Sequence, residues 1–225
     1  MNRIFDMEGP VFTTLNRLAD LVWLNILYII CCIPIFTIGA STTAMYYVTM
    51  KMAKNEEGYI TRSFFKSFKL NFKQATLLWL LALAAGGILL LDYAIMGGRF
   101  GDIVEMNEIL RKVVTGILFA VGGLYVFVMI YLFPLLAKFD NSIKNTIKNA
   151  LLISIRHFPF TLLLIVIPVV PFVLMYFVNQ LVLFVFFLVF SLVAFASSYI
   201  YVKIFANYLP GEEKTEDETG EREDA

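Results

Sequence analysis

Asp20, Asn25, Asp92 and Tyr93 stand at the ends of apolar runs or inside them, and they are the residues of this sequence best suited to handling a polar molecule. Ionisable groups in or beside membrane-length apolar runs are costly to keep, so by default they mark function. Two carboxylates in apolar surroundings could share a proton and do acid–base work. Alternatively, together with Asn179 and Gln180, these residues could line an outward vestibule that holds a sugar by hydrogen bonds and ring stacking. A plainer account pairs Asp20 with Arg17 and Asp92 with Arg99 at lipid headgroups. Enzymatic use ranks last, because the two acids open and close different apolar runs near water.

Other chemistry is sparse. His157 is the one histidine, so no histidine-based metal cluster can form, and beside Arg156 at the start of an apolar run it marks the membrane interface more readily than a catalytic centre. Cys31 and Cys32 are adjacent within an apolar run, which suits neither a disulfide framework nor metal spacing. No glycine-rich phosphate loop or nucleophile elbow is present. The chain is therefore read as non-enzymatic, with no cofactor and no metal.

A denser signal lies at Arg62–Ala75, RSFFKSFKLNFKQA. At helical spacing Arg62, Lys66, Lys69 and Lys73 fall within an arc of about 60°, and Phe64, Phe65, Phe68 and Phe72 fill a neighbouring arc. A helix striped in this way lies along a bilayer surface, with rings at the acyl boundary and ammonium groups at phosphates, or it docks a partner. Basic and aromatic patches also bind nucleic acid, but this one belongs at a bilayer, so no nucleic acid is expected. The pattern returns at an offset of seventy-five residues, with six identities between residues 64–77 and 139–152, and its second copy carries Lys144 and Lys148. Asp140, four residues before Lys144, would support a helix there.

The elements that must position these residues follow from hydropathy. With 60% apolar side chains and a mean hydropathy of +0.78, the chain exceeds a soluble domain's usual apolar share of about 45–50%. Crossing about 30 Å of hydrocarbon takes roughly 20 helical residues. Five windows qualify, at residues 18–38, 75–96, 113–137, 158–178 and 181–206. The expected fold is an all-α polytopic membrane bundle of about five transmembrane helices plus interfacial amphipathic helices. One membrane domain covers residues 1–208, and an acidic, disordered tail covers 209–225. The charged first twenty residues argue against a cleaved signal peptide.

Pro34 and Gly39 interrupt the first window, and Ser41-Thr42-Thr43 offers hydroxyl caps for a short helix over residues 44–53 at the membrane surface. Gly86-Gly87 and Gly122-Gly123 offer close helix packing, and Pro168 and Pro171 a kink. Six Lys or Arg between Lys51 and Lys73, and four between Lys138 and Arg156, put both connections in the cytoplasm. Five spans then place the start of the chain outside and the acidic tail inside. The two copies point the same way, as a parallel two-span repeat would.

Four stretches in order, GPVFTTLNRLADLVWLN, IPIFTIGASTTAMYYV, SFFKSFKLNFKQAT and YLFPLLAKFDNSIKNTIKNAL, resemble the YesL-like bacterial membrane proteins, a domain of unknown function. The resemblance implies a multi-pass protein of the bacterial cytoplasmic membrane, encoded near carbohydrate ABC permeases and glycoside hydrolases. On that footing the expected role is a non-enzymatic accessory to oligosaccharide uptake, with subunits of a carbohydrate ABC transporter as partners besides the lipid bilayer. A small-solute transporter in its own right is the alternative. The resemblance supplies no ligand residues. Nor does the chain look like the permeases themselves, whose coupling loop has a glycine that residues 138–156 lack.

Overall fold

The computed structural model describes residues 10–56, 58–97, 107–177 and 182–209. The connection holding Arg99, the turn at Asn179 and Gln180, and the acidic tail lie outside the described residues. Seven helices account for nearly all of the described chain, and no strand occurs among the described residues. They are α1 (Pro10–Cys32), α2 (Ile38–Ala53), α3 (Ile60–Met96), α4 (Glu108–Lys138), α5 (Ile143–Arg156), α6 (Phe158–Phe177) and α7 (Val182–Ala206). Four are long and apolar enough to cross a membrane, or five if the bent pair α5–α6 is one span.

α1 stops at Cys32 because Pro34 cannot continue a helix and restricts the residue before it. The Thr37 hydroxyl then donates to the Cys31 and Pro34 carbonyls at 2.6 Å each, which satisfies acceptors the helix end leaves open. The chain reverses through a short 3-10 turn, Ile35–Thr37. α2 begins at Ile38, earlier than the expected start at residue 44, and it does not lie at the membrane surface. It is buried along most of its length, from Gly39 to Met50, and is packed by α1, α3, α4 and α7.

The physical reason is side-chain size. A Cβ at Gly39 would come within 2.5 Å of the Ala75 carbonyl oxygen and 2.7 Å of the Trp79 Cβ, so only glycine lets α2 and α3 cross there. The expected hydroxyl caps are not caps either. Thr42 and Thr43 donate to Ile38 and Gly39 within the helix's own turns, which lets polar residues sit in a packed interior.

α3 is one helix of 37 residues, in which the striped segment and the second apolar window are continuous. No proline occurs within it, and at about 1.5 Å per residue it is roughly 55 Å long, well beyond a bilayer core. The second copy differs. α5 and α6 are bent by 100° at His157, where Pro159 removes a backbone donor and its ring would clash with the preceding turn. α5 begins at Ile143 with Ser142 as its cap, so Asp140 stands outside the helix and cannot give it the expected support.

Core side chains gather around α2. One cluster unites Leu24, Ala44, Val48, Phe64 and Ala194, and a second unites Ala75, Leu78, Tyr131, Leu135, Tyr201 and Phe205. Away from these clusters the apolar surface of α3 and α4 is open, with Leu90 73% and Phe119 75% exposed, as lipid-facing helices require. There α3 and α4 meet through the Tyr125 hydroxyl, which donates to the Ala82 carbonyl at 3.0 Å, and Gly86 leaves room for that ring. Gly87, Gly122 and Gly123 face open space, so the expected packing role falls to Gly86.

Candidate functional site

The first half of α1 lies beside the turn between α2 and α3. Asn55 holds a positive φ of 56°, a conformation asparagine tolerates well, and its side-chain oxygen accepts from Arg17 at 2.6 Å. Six residues further along, the Trp23 indole donates to the Thr61 hydroxyl at 2.8 Å. These two bonds put the start of α1 and the basic connection at the same end of the bundle. The expectation that they lie on opposite sides is thereby corrected: α2 is a buried return helix that brings the chain back to the level where α1 begins.

Between α1 and the first turns of α3 runs an open groove of about 940 Å³. Asp20 and Trp23 form one wall; Arg62, Phe65, Lys66 and Lys69 form the other, with Tyr59 at the rim. Arg62, Lys66, Lys69 and Lys73 are all exposed, and none forms an ion pair among the described residues. The aromatic arc divides. Phe64 is fully buried against Leu24 and Val48, Phe68 and Phe72 are half-buried, and Phe65 is exposed to the groove. The rings stack on one another, Phe64 on Phe68 at 6.2 Å and Phe68 against Phe72 at 5.5 Å, so most of this stripe packs inward instead of into lipid.

Lys144 and Lys148 are exposed on α5. The Gln74 side chain donates to the Asn141 carbonyl, which ties the end of the first striped segment to the start of the second. The two segments thus touch at Gln74 and Asn141.

The four residues of the expected vestibule do not assemble. Asp20 faces the groove with Lys69, whereas Asp92 is twenty-three residues further along the unbroken α3, roughly 35 Å away. Asp92 and Tyr93 are both half-buried there. Asn25 is fully buried, and its Oδ1 accepts from the Ser191 backbone N–H at 3.0 Å, clamping α1 to α7.

Sequence reasoning passed over a buried polar seam. Tyr201 lies between Tyr46 and Tyr131 at ring distances of 5.4 and 5.7 Å, and its hydroxyl donates to the Ile130 carbonyl at 2.8 Å. The Tyr131 hydroxyl meets that of Thr161 at 3.1 Å, and Ser198 donates to Thr49 at 2.8 Å. The available signal was the three-residue spacing of Tyr46 with Thr49 and of Ser198 with Tyr201 inside apolar helices, which places each pair on one face.

His157 meets the Tyr208 hydroxyl at 3.2 Å beyond the end of α5, and burial together with the neighbouring Arg156 holds its imidazole below the ordinary histidine value. Cys31 and Cys32 are free and half-buried. Among the described residues no three His, Cys, Asp or Glu side chains come together as metal ligands.

Residues 21–93, from α1 to near the end of α3, match the family described as "Protein of unknown function, DUF624". Over that stretch the chain is similar to the YesL-like proteins of that family. It is similar to the uncharacterized protein YesL of Bacillus subtilis, 26% identical over 153 residues covering 68% of each chain. It is also similar to the uncharacterized protein YteU of the same organism, 24% identical over 145 residues, or 64% of this chain and 61% of that one. No solved structure matches it. The family match takes in the α1–α2 reversal, the Gly39 crossing and the groove's lining from Trp23 to Lys69, but not Asp20.

Proposed function

We propose that the protein is a non-enzymatic accessory component of the bacterial cytoplasmic membrane that serves carbohydrate uptake, touching a transporter subunit through its paired basic segments. The observation that carries this reading is the Gln74–Asn141 hydrogen bond, which ties the residue after Lys73 on α3 to the turn that leads into α5, where Lys144 and Lys148 stand. Exposed cations that form no ion pair among the described residues are suited to an acidic surface on another protein. The carbohydrate assignment rests on the resemblance to YesL-like proteins. By the positive-inside rule this basic end faces the cytoplasm, and α7 brings the chain back to that side.

Photo-crosslinkers placed at Lys73 and Lys144, in native membranes from cells grown on an inducing oligosaccharide, test the reading directly. Recovery of a carbohydrate permease subunit supports it, and recovery of no transporter component from either position sinks it. Transport of a labelled oligosaccharide by the purified protein alone in liposomes would replace the accessory role with that of a transporter.

A further inference from the structure

The groove between α1 and α3 has a composition that a partner-docking role does not require. One wall presents Arg62, Lys66 and Lys69, three exposed cations along one face; the other presents a single carboxylate, Asp20, with the Trp23 ring beside it. Its charge is therefore strongly but not uniformly positive. Toward the bilayer its flank is apolar: Leu70, next along α3 after Lys69, is exposed. Trp23 is half exposed, with its indole N–H fixed to Thr61, so the ring is a rigid ledge of the kind found at the headgroup level of bilayers.

We propose that this groove is a binding site for the headgroup of an anionic glycerophospholipid that carries hydroxyl donors, of which phosphatidylglycerol is the simplest. The phosphodiester sits among Arg62, Lys66 and Lys69, where charge-assisted hydrogen bonds are strongest. A headgroup hydroxyl donates to the Asp20 carboxylate, and the acyl chains run past the exposed Leu70 toward the apolar length of α3. Asp20 supplies the selectivity. It repels the second negative charge of a bare phosphomonoester and rewards a headgroup that brings a donor. The open shape also favours a lipid over a soluble anion, since screened surface charges hold a free anion weakly whereas a lipid is already confined to the bilayer. The site uses neither Lys73, Lys144 nor Lys148, so it stands whether or not a transporter subunit docks on them.

The test uses the full chain in vesicles of phosphatidylcholine containing a minor fraction of a lipid brominated on its acyl chains. Bromine quenches nearby indoles, and Trp23 lines the groove while Trp79 is tied to the Ile35 carbonyl at the α1–α2 turn. Brominated phosphatidylglycerol is expected to quench Trp23 at least about tenfold more effectively than brominated phosphatidylcholine or phosphatidylethanolamine, as three converging cations imply. Replacing Arg62, Lys66 and Lys69 together with Gln removes that preference. Asp20→Asn keeps it but abolishes the discrimination against phosphatidic acid. Equal quenching by the anionic and zwitterionic lipids in the unaltered chain overturns the proposal without recourse to any variant. So does a triple variant that retains the preference. Displacement of the brominated lipid by inorganic phosphate at constant ionic strength would show a free-anion site instead.

Discussion

The Trp23 indole N–H donates to the Thr61 hydroxyl across thirty-eight residues of chain, and Arg17 reaches Asn55 over the same separation. Together they fix α1 and the basic α2–α3 turn at one end of the bundle. Cysteines placed at Asn16 and at Tyr59, in a chain whose Cys31 and Cys32 are replaced by Ala, are therefore expected to react from the same side of the membrane. If the positive-inside rule governs, that side is the cytoplasm, and an impermeant maleimide labels both only after permeabilisation. Labelling of one from each side would contradict the arrangement of α1 and α2.

The Gly39 crossing predicts an asymmetry between glycines. Gly39→Ala forces a Cβ against the Ala75 carbonyl and the Trp79 Cβ, both of which belong to helix α3 and cannot swing aside. Overpacking of this kind costs about 1–3 kcal/mol, read as a lowered unfolding midpoint in detergent. Gly87→Ala meets nothing within 4 Å and relieves the backbone entropy of a helical glycine, so it is expected to be neutral or to stabilise by up to about 1 kcal/mol. Equal responses at the two positions would remove the close crossing from the account of why α2 is buried.

This crossing also shows where sequence reasoning reached its limit. The apolar windows were legible because a membrane span requires an uninterrupted run, and the break near Pro34 because proline cannot continue a helix. The basic arc at Arg62, Lys66, Lys69 and Lys73 was legible for a similar reason: its period is local, and all four are exposed. Burial of α2 was not legible, since Gly39, Ala40, Ser41 and Thr43 are small residues whose value appears only when Ala75 and Trp79 arrive from elsewhere in the chain. The groove was half legible. Its cations and Asp20 each stand out in the sequence, but their meeting depends on α2 reversing the chain, and without that reversal the sequence places Asp20 with Asp92.

Asn25 and Asp92 were expected to share a role, and the structure separates them by burial. Asn25 is enclosed and accepts from Ser191, so Asn25→Ala leaves a backbone donor of α7 without its side-chain acceptor and opens a gap at the α1–α7 contact. A loss of about 1–3 kcal/mol is expected. Asp92→Asn is a near-isosteric change at a half-buried position and should stay within about 0.5 kcal/mol of the unaltered chain. Thermal unfolding of the two variants in the same detergent compares them directly. A silent Asn25→Ala would mean that the clamp contributes little to joining α1 with α7.

The tyrosine seam is open to a double-mutant cycle. Tyr131 and Thr161 meet at 3.1 Å inside the bundle, and Thr161 in turn donates to the Ser154 carbonyl at 2.8 Å, so one hydroxyl links α4 to the end of α5 across the 100° bend. Tyr131→Phe alone removes one buried hydrogen bond and should cost about 1 kcal/mol. Thr161→Val costs more, because it strands both the Tyr131 hydroxyl and the Ser154 carbonyl. Since the two residues share a bond, the double variant is expected to be less destabilised than the sum of the singles, with a coupling of about 0.5–3 kcal/mol. Strict additivity would show that the bend is held by Pro159 and apolar packing alone.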